Sequence, residues 1–306
     1  MKSCIVGYKN HAKRLEHIVS SLGYTDALLY NHKEDSEESI ENCDVFFIAS
    51  PSDTHYHWID KLQGLGKYIF CEKPPVVSLS DLQKIESYNS KLYFNFNYRF
   101  SKLSEIVSKY ISNGDLGKPI YMNCVSATGI AFTKPNNWRF TEKNLFSSVA
   151  GNVGIHYIDM MANMFGSIDD LRFENLNVVS KNMPDTSRIT LKCKKVFGDI
   201  LLSYASSFQN EVKVMFDNGC VYLRDGTISV ETPRNTFDED GRFKRPAKKV
   251  LFSCKDSKSY YDMSLSDSVK FFLHHAKNNI PLPPEHYNQS IDTTRLILNK
   301  IGGNND

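Results

Sequence analysis

The sequence lacks several features that would place it in particular classes of protein. No apolar run reaches the roughly 18 residues that a membrane-spanning helix needs, and the opening Met1 to Gly7 is too brief for a signal peptide. Neither sign of charge is in excess, because 37 basic residues offset 35 acidic ones and are spread along the chain. We therefore expect a cytoplasmic protein with no nucleic-acid and no membrane partner.

Paired cysteine motifs are missing as well. The seven cysteines are odd in number and scattered, and no two of them are spaced as Cys-x-x-Cys. This distribution argues against a disulfide framework and against a zinc site, and it favours reduced thiols. We expect no metal ion in this protein.

The length and composition indicate a folded protein with more than one core. At 306 residues the chain exceeds what one hydrophobic core usually organises. Hydrophobic residues make up 41% and charged residues 24%, as in soluble globular proteins. A Gly-Lys-Pro turn at residues 117–119 separates two halves of different character, so we expect domains at residues 1–118 and 119–306.

A short apolar strand that ends in Glu72-Lys73-Pro74 is the most informative stretch of the first half. Tyr68 to Cys71 is β-prone, and Pro74 and Pro75 stop it. A residue before proline is restricted to extended geometry, so Lys73 is fixed at the carboxyl end of the strand, where α/β sheets bind ligands. A lysine there can donate a hydrogen bond, supply charge or act as an acid or base. The alternative is a loop lysine paired with Glu72.

A second strand and turn precede this one. Val45 to Ala49 is apolar and is closed by Ser50 and Pro51, and a helix-length stretch follows at residues 57–65. The order of strand, proline turn, helix, Gly-Lys, strand and Glu-Lys-Pro resembles the surroundings of the active-site lysine in the Gfo/Idh/MocA oxidoreductases. This resemblance implies an α/β N-terminal Rossmann domain with a doubly wound parallel sheet, and NAD or NADP as the cofactor.

The first strand, Ser3 to Val6, leads into a modified dinucleotide fingerprint. The Rossmann pattern is Gly-x-Gly-x-x-Gly/Ala, and Gly7 and Ala12 fill its first and third places. Lys9 fills the second place. A side chain there either obstructs the approach of the backbone to the pyrophosphate or brings an ammonium group to a phosphate.

The second strand, Ala27 to Tyr30, ends without the acid that often binds the ribose of NAD. Asn31 follows it, and then His32 and Lys33, which either tolerate the 2′-phosphate of NADP or are solvated loop residues. The resemblance implies cofactor contacts from Gly7, Lys9, Asn10, Ala12, Asn31, Ser50, Pro51, His55, Glu72 and Lys73.

The second half is rich in predicted strands. They cover residues 120–128, 189–194, 199–206, 212–216, 220–223 and 227–231, and helices are predicted at residues 265–278 and 286–301. A basic stretch, Arg242 to Lys249, is predicted as a solvated loop or hairpin arm. Consecutive strands without alternating helices imply an antiparallel or mixed sheet. We therefore expect an α+β C-terminal domain with a largely antiparallel open sheet, which binds substrate and mediates oligomerisation.

Asn152, His156 and Asp159 form a second constellation. They lie four and three residues apart, so Asn152 and His156 can share one helical face while Asp159 lies one turn further. In the family, a Trp-Arg pair precedes a motif of the form Asp-x-Gly-x-His-x-x-Asp. Here Trp138 and Arg139 precede Asn-x-Gly-x-His-x-x-Asp.

The resemblance assigns roles to these residues. It implies that Lys73 and His156 are catalytic, and that Asn152, Arg99, Trp138, Arg139 and Asp159 bind the substrate. From the residues alone, a lone histidine on an amphipathic segment is more often structural, and a structural salt bridge explains Arg99 equally well.

Two functions follow from these observations. The first is a nicotinamide-dependent oxidoreductase that acts on a sugar or sugar nucleotide. The segment Asn152 to Met160 is similar to the sub-group that oxidises UDP-N-acetylglucosaminuronate at C3 in bacterial surface-polysaccharide pathways. The second is a binding relative whose hold on the dinucleotide is weakened by Lys9. In either case the resemblance implies a homodimer or homotetramer formed through the C-terminal sheet.

Overall fold

The computed structural model describes residues 1–33, 38–88, 91–133 and 145–302. The chain forms two compact units, Met1–Asn97 with Leu265–Asp306, and Tyr98–Ser264. The Gly-Lys-Pro turn predicts a boundary at residue 118, whereas these units divide between residues 97 and 98 and again between residues 264 and 265. The last helices belong to the first unit because they pack on its sheet: the ring of Phe272 lies 5.4 Å from that of Phe47 and 5.3 Å from that of Phe70.

The first unit is built on a parallel sheet. Its strands are β1 Ser3–Val6, β2 Ala27–Tyr30, β3 Val45–Ile48, β4 Tyr68–Glu72 and β5 Leu92–Asn95, in the order β2-β1-β3-β4-β5. Its helices are Asn10–Ser21, Glu38–Glu41, His55–Gln63, Leu79–Ile85 and Pro284–Gly302, together with the residues of helix Ser257–Asn278 from Leu265 onward. Every residue of β1, β3, β4 and β5 is buried, as in parallel strands covered on both faces. The predicted Rossmann-like domain is confirmed.

The second unit is built on a mixed sheet of eight strands. They are β6 Pro119–Ala127, β7 Ile168–Leu176, β8 Thr186–Cys193, β9 Val196–Ser203, β10 Gln209–Phe216, β11 Gly219–Arg224, β12 Thr227–Glu231 and β13 Lys248–Ser253. Their order is β13-β12-β11-β10-β6-β9-β8-β7, and β6 and β9 are the parallel pair. Helices Lys102–Asn113, Ile130–Thr133 and Ile155–Phe165, a π-helical turn at Ala150–Gly154 and the residues of helix Ser257–Asn278 before Leu265 also belong to this unit. The prediction of a largely antiparallel sheet is confirmed.

One face of this sheet is open. Burial alternates along β9, where Ile200 and Leu202 are fully buried, whereas Phe197 and Leu201 are 57% and 43% exposed. Such alternation is typical of an antiparallel sheet with one covered face. The open face therefore carries apolar side chains that the described part of this unit leaves in contact with solvent.

Several stretches differ from their sequence-based prediction, among them the following. The alternating residues 92–100 predict one strand over the whole stretch, but β5 ends at Asn95, because residues 97–100 form a 3₁₀ turn. β7 was not predicted, because its nine residues include three acids and show no clear alternation. The basic stretch at residues 242–249 is exposed as predicted, but Lys248 and Lys249 already belong to the edge strand β13.

Candidate active site

The carboxyl ends of the parallel strands bring several predicted residues to one edge of the first sheet. Val6 pairs with both Tyr30 and Ile48, and Glu72 pairs with Asn95, so the turns after these strands lie along the same edge. Lys73 begins the turn after β4 and is half-buried. The peptide bond between Lys73 and Pro74 is cis. Lys73 thus lies on the side of the sheet where α/β proteins bind ligands.

His55 fixes the turns on which Ser50 and Lys73 lie. Its imidazole is 1% exposed, with Nδ1 2.7 Å from the carbonyl oxygen of Pro74 and Nε2 3.1 Å from that of Ser50. A neutral ring carries one N–H, so it can donate to only one of these two carbonyl oxygens at a time. Burial lowers the pKa of His55 more than the two carbonyl contacts raise it. We infer that a buried imidazole holds these turns in place.

Glu72 is an almost fully buried carboxylate beside this lysine. Asn95 Nδ2 donates to its Oε1 at 2.8 Å, and His11 Nε2 lies 2.8 Å from the same atom. Burial alone raises the pKa of the Glu72 carboxyl, but His11, Asn95 and the charge of Lys73 together hold it below its usual value. Glu72 is therefore ionised at neutral pH, next to the candidate catalytic lysine.

The dinucleotide turn follows β1 directly. Gly7 has φ +137°, and a Cβ there would approach the carbonyl oxygen of Ala49 to 2.9 Å, so this place requires glycine. Ala12 is buried, as the third fingerprint place demands. The helix that begins at exposed Asn10 has no acid in its first turn, which suits an approaching phosphate. These residues fit a dinucleotide pyrophosphate.

Lys9 is accommodated without backbone strain. Its φ of −84° and ψ of −177° lie in the extended region that any residue adopts, and its side chain is exposed. At the end of β2, Asn31 Oδ1 accepts a hydrogen bond from the backbone N–H of Lys33 at 3.2 Å. The departure from glycine at Lys9 thus changes the charge of the turn rather than its backbone conformation.

In the second unit, Asn152 lies in the π-helical turn that precedes helix Ile155–Phe165. Its Nδ2 donates to the hydroxyl of Tyr204 at 2.8 Å. A Cβ at Gly154 would lie 2.7 Å from Ile189 Cδ1, so this glycine lets the turn pack closely on the sheet. The predicted regular helical face through Asn152 and His156 is therefore interrupted by a π turn, a feature frequent at functional sites.

His156 is half-buried and lies parallel to an aromatic ring. Its imidazole stacks on Tyr98 with 4.5 Å between ring centroids and 20° between ring planes. Tyr98 stacks in turn on Tyr261 at 4.8 Å. Burial raises the pKa of the Tyr98 hydroxyl well above its usual value, so this phenol stays neutral. Aromatic packing thus orients the candidate catalytic histidine.

Arg99 and Asp159 bind each other. Arg99 Nε donates to Asp159 Oδ2 at 2.7 Å and its NH2 group donates to Oδ1 at 2.5 Å, with side-chain exposures of 3% and 0%. Their predicted contact with substrate remains untested, but this geometry favours the structural salt bridge that the sequence left open. Trp138 and Arg139, also predicted to bind substrate, lie outside the described residues.

Three residues of the site were not identified from the sequence. His11 contacts Glu72, Tyr98 stacks on His156, and the hydroxyl of Tyr204 accepts a hydrogen bond from the side-chain amide of Asn152. His11 lies inside the dinucleotide fingerprint and Tyr98 directly precedes Arg99, so their positions were a usable signal. Tyr204 is 52 residues from Asn152, and no pattern in the sequence indicated that the two side chains meet.

The described residues hold no cluster of three or more histidine, cysteine or acidic side chains that could bind a metal ion. They also include no helix with the length and apolar composition needed to cross a membrane.

A cavity of about 10 Å³ in the second unit is lined by Tyr98, Tyr157 and Tyr261, among others. It has room for about one water molecule and is too small for a sugar.

A parallel sheet with a dinucleotide turn and a lysine at its carboxyl edge defines a Rossmann-type dinucleotide-binding protein. Residues 4–92 match the family model described as "Oxidoreductase family, NAD-binding Rossmann fold". Residues 105–222 match the model described as "GFO/IDH/MocA C-terminal domain". The chain belongs to the GFO/IDH/MocA family, as its motifs predicted.

Curated relatives of this chain include two bacterial dehydrogenases. It is 28% identical over 229 residues to glucose-6-phosphate 3-dehydrogenase of Bacillus subtilis (strain 168), a match that covers 65% of each chain. It is 29% identical over 119 residues to myo-inositol 2-dehydrogenase of Thermotoga maritima, which covers 37% of this chain and 34% of the relative. Each match spans less than two thirds of the relative's length.

Solved structures share the whole fold. A putative NADPH-dependent oxidoreductase from Desulfitobacterium hafniense superposes with a TM-score of 0.79 at 14% identity, covering 99% of this chain and 95% of that one. At this identity the likeness concerns the fold alone.

Proposed function

We propose that this protein is a nicotinamide-dependent dehydrogenase that acts on a hydroxyl group of a sugar or polyol. One observation carries the proposal: half-buried Lys73 lies on the same sheet edge as the dinucleotide turn at Gly7, in a chain of this family. The names of the two curated relatives support this substrate class.

The cofactor supplies the hydride acceptor when it is bound, and the chain's own residues bind and position. The amides that begin helix Asn10–Ser21 and the Lys9 ammonium would hold the pyrophosphate. Lys73 would donate a hydrogen bond to the reacting oxygen and polarise it. His156 would exchange the proton of that oxygen, and Asn152 would hold a neighbouring hydroxyl. Arg99 and Asp159 would keep helix Ile155–Phe165 in register rather than touch substrate.

Fewer observations support a sugar nucleotide as the particular substrate. Similarity of residues 152–160 to enzymes that oxidise UDP-N-acetylglucosaminuronate favours a sugar nucleotide and a role in surface-polysaccharide synthesis. The two relatives described above are instead a sugar-phosphate and an inositol dehydrogenase. We therefore give the sugar or polyol class as the proposal and the sugar nucleotide as one member to be tested.

A substrate panel tests this function. The purified protein is mixed with NAD⁺ or NADP⁺ and with myo-inositol, glucose 6-phosphate or UDP-N-acetylglucosaminuronate, and formation of reduced nicotinamide is followed by absorbance. The proposal expects turnover with at least one pair, and the pair that reacts decides between the substrate classes. Binding of NADH without turnover of any pair would instead support a non-catalytic relative that binds sugar or nucleotide.

We also propose self-association through the open face of the second unit's sheet. The exposed apolar side chains Phe197 and Leu201 support it, because apolar patches on a sheet face are usually covered. A homodimer or homotetramer is expected by light scattering, and a monomer at micromolar concentration would refute it. The cytoplasmic location expected from the sequence remains a prediction.

A further inference from the structure

His11 is a titratable side chain inside the turn that is expected to receive the pyrophosphate. It replaces no glycine of the fingerprint, since it stands just before Ala12. Its Nε2 atom lies 2.8 Å from Oε1 of Glu72, the residue before Lys73. The His11 side chain is 42% exposed and that of Glu72 is 10% exposed. The contact therefore joins a solvent-accessible imidazole in the dinucleotide turn to a buried carboxylate beside the candidate catalytic lysine.

The buried end of this contact is held by neutral polar groups. Asn95 Nδ2 donates to Glu72 Oε1 at 2.8 Å, and Ser268 Oγ donates to Asn95 Oδ1 at 2.7 Å. The hydroxyl of Tyr93 lies 2.8 Å from Ser268 Oγ. Strand β5 and the helix that contains Ser268 thus fix the carboxylate, and His11 is the exposed end of the network.

Several cationic groups lie beside this carboxylate or beside His11 along the chain. Lys73 follows it, and Lys9, Lys13 and Arg14 flank His11 along the chain. Burial raises the pKa of the Cys71 thiol well above its usual value, and burial lowers that of His55. Imidazole is the side chain whose charge ordinarily changes near neutral pH, and His11 is the imidazole that contacts Glu72.

We propose that His11 and Glu72 are positioning residues whose contact couples dinucleotide binding to protonation, so that NADH binds together with a proton at His11. The proposal rests on dinucleotide binding by this unit. An imidazolium between the Glu72 carboxylate and the pyrophosphate attracts both anions, whereas a neutral imidazole leaves the two anions repelling each other. Protonated His11 would thereby hold the dinucleotide turn and the end of β4, with Lys73, in the arrangement that binds cofactor.

Calorimetric titration with NADH tests this coupling without an enzyme assay. NADH is the probe because it carries no group that titrates between about pH 6 and 8, unlike the 2′-phosphate of NADPH. For the wild type we expect roughly fivefold or greater tightening of binding from pH 8 to pH 6. The observed enthalpy should also vary with the ionisation enthalpy of the buffer, in the sense of proton uptake.

Two variants locate the proton. His11→Gln keeps a hydrogen-bond donor but cannot titrate, so its NADH affinity should be nearly independent of pH. His17→Gln is the matched control, because His17 is an exposed histidine of the same helix, and it should retain the wild-type pH dependence. Glu72→Gln, which removes the anion, provides a second variant and should also flatten the profile. Thermal melting confirms that each variant is folded.

The outcomes separate this coupling from cofactor binding itself. Full pH dependence in folded His11→Gln, or a wild type that binds NADH equally well at both pH values, would overturn the coupling and leave the proposed function standing. Absence of NADH binding by the wild type at either pH would overturn dinucleotide binding, and the coupling with it.

Discussion

The two units hold their candidate catalytic side chains by different physical means. Lys73 in the first unit follows a buried carboxylate, and the buried imidazole of His55 fixes the turn on which it lies. His156 in the second unit is held by a stacked tyrosine, and one turn further along its helix Asp159 is bound by Arg99. The lysine therefore depends on groups that titrate, whereas the histidine depends on packing and on a fixed ion pair. The two sites should respond differently to pH and to substitution.

The largest effect is expected from breaking the ion pair of the second unit. Asp159→Asn leaves the buried Arg99 guanidinium without its counter-charge, which typically costs about 3–5 kcal/mol of unfolding free energy. The control is Asp170→Asn, because Asp170 pairs with Arg172 at the surface and should cost about 1 kcal/mol or less. Urea titration measures both. Equal, small losses would show that the buried pair does not secure this helix.

The next effect concerns the first unit. Lys73→Met should leave folding and NADH affinity nearly intact but lower turnover by at least about 10²-fold, the usual scale for losing a positioned acid or base. The comparison variant is Lys67→Met, an exposed lysine just before the same strand, which should retain activity. Steady-state rates with the best substrate of the panel decide it. If the activity of Lys73→Met stays within a few-fold of the wild type, the lysine is not catalytic.

Removal of the His55 imidazole should destabilise the first unit. His55→Phe leaves the carbonyl oxygens of Pro74 and Ser50 without the imidazole and should cost roughly 1–3 kcal/mol of unfolding free energy. His57→Phe on the exposed face of the same helix should cost much less.

The pH dependence of stability has a defined sign at His55. Burial lowers the pKa of folded His55, so the unfolded chain binds more protons below about pH 6.5 and stability falls as the pH decreases from there. The His55→Phe variant should lose less stability than the wild type between pH 7 and 5. An identical pH profile for both proteins would exclude His55 as the sensitive group.

The smallest expected effect is at Lys9. Because its backbone is unstrained, Lys9→Gly should relieve nothing and should weaken NADH binding by about 1 kcal/mol through loss of a charge-assisted contact. Lys9→Met keeps the side-chain length without the charge and should weaken binding similarly. Calorimetry separates the two alternatives. If the Lys9 side chain instead obstructs the dinucleotide, the glycine variant should bind NADH more tightly than the wild type, whereas the methionine variant should not.

Local signals in the sequence predicted the first unit better than the site in the second. The strands Ser3–Val6 and Ala27–Tyr30 have the predicted ends, because apolar runs bounded by turn residues define them. The π turn before His156 was not predictable, since its packing depends on Ile189, far along the chain. The Arg99–Asp159 pair spans 60 residues, and nothing in either motif indicates that the two side chains bind each other. His11 lies inside an identified motif, but its contact with Glu72 forms only in the folded protein and was not predicted.

Transfer of deuterium tests the central claim most directly. The protein is incubated with NAD⁺ or NADP⁺ and with substrates of the panel that carry deuterium on their ring carbons, and the nicotinamide is analysed by mass spectrometry. A dehydrogenase that acts on a sugar or polyol hydroxyl must move deuterium from carbon to the nicotinamide ring, and we expect this with the wild type and, at least about 10²-fold more slowly, with Lys73→Met. A wild-type protein that binds NADH but transfers no deuterium from any of these substrates would contradict the assignment as a sugar or polyol dehydrogenase.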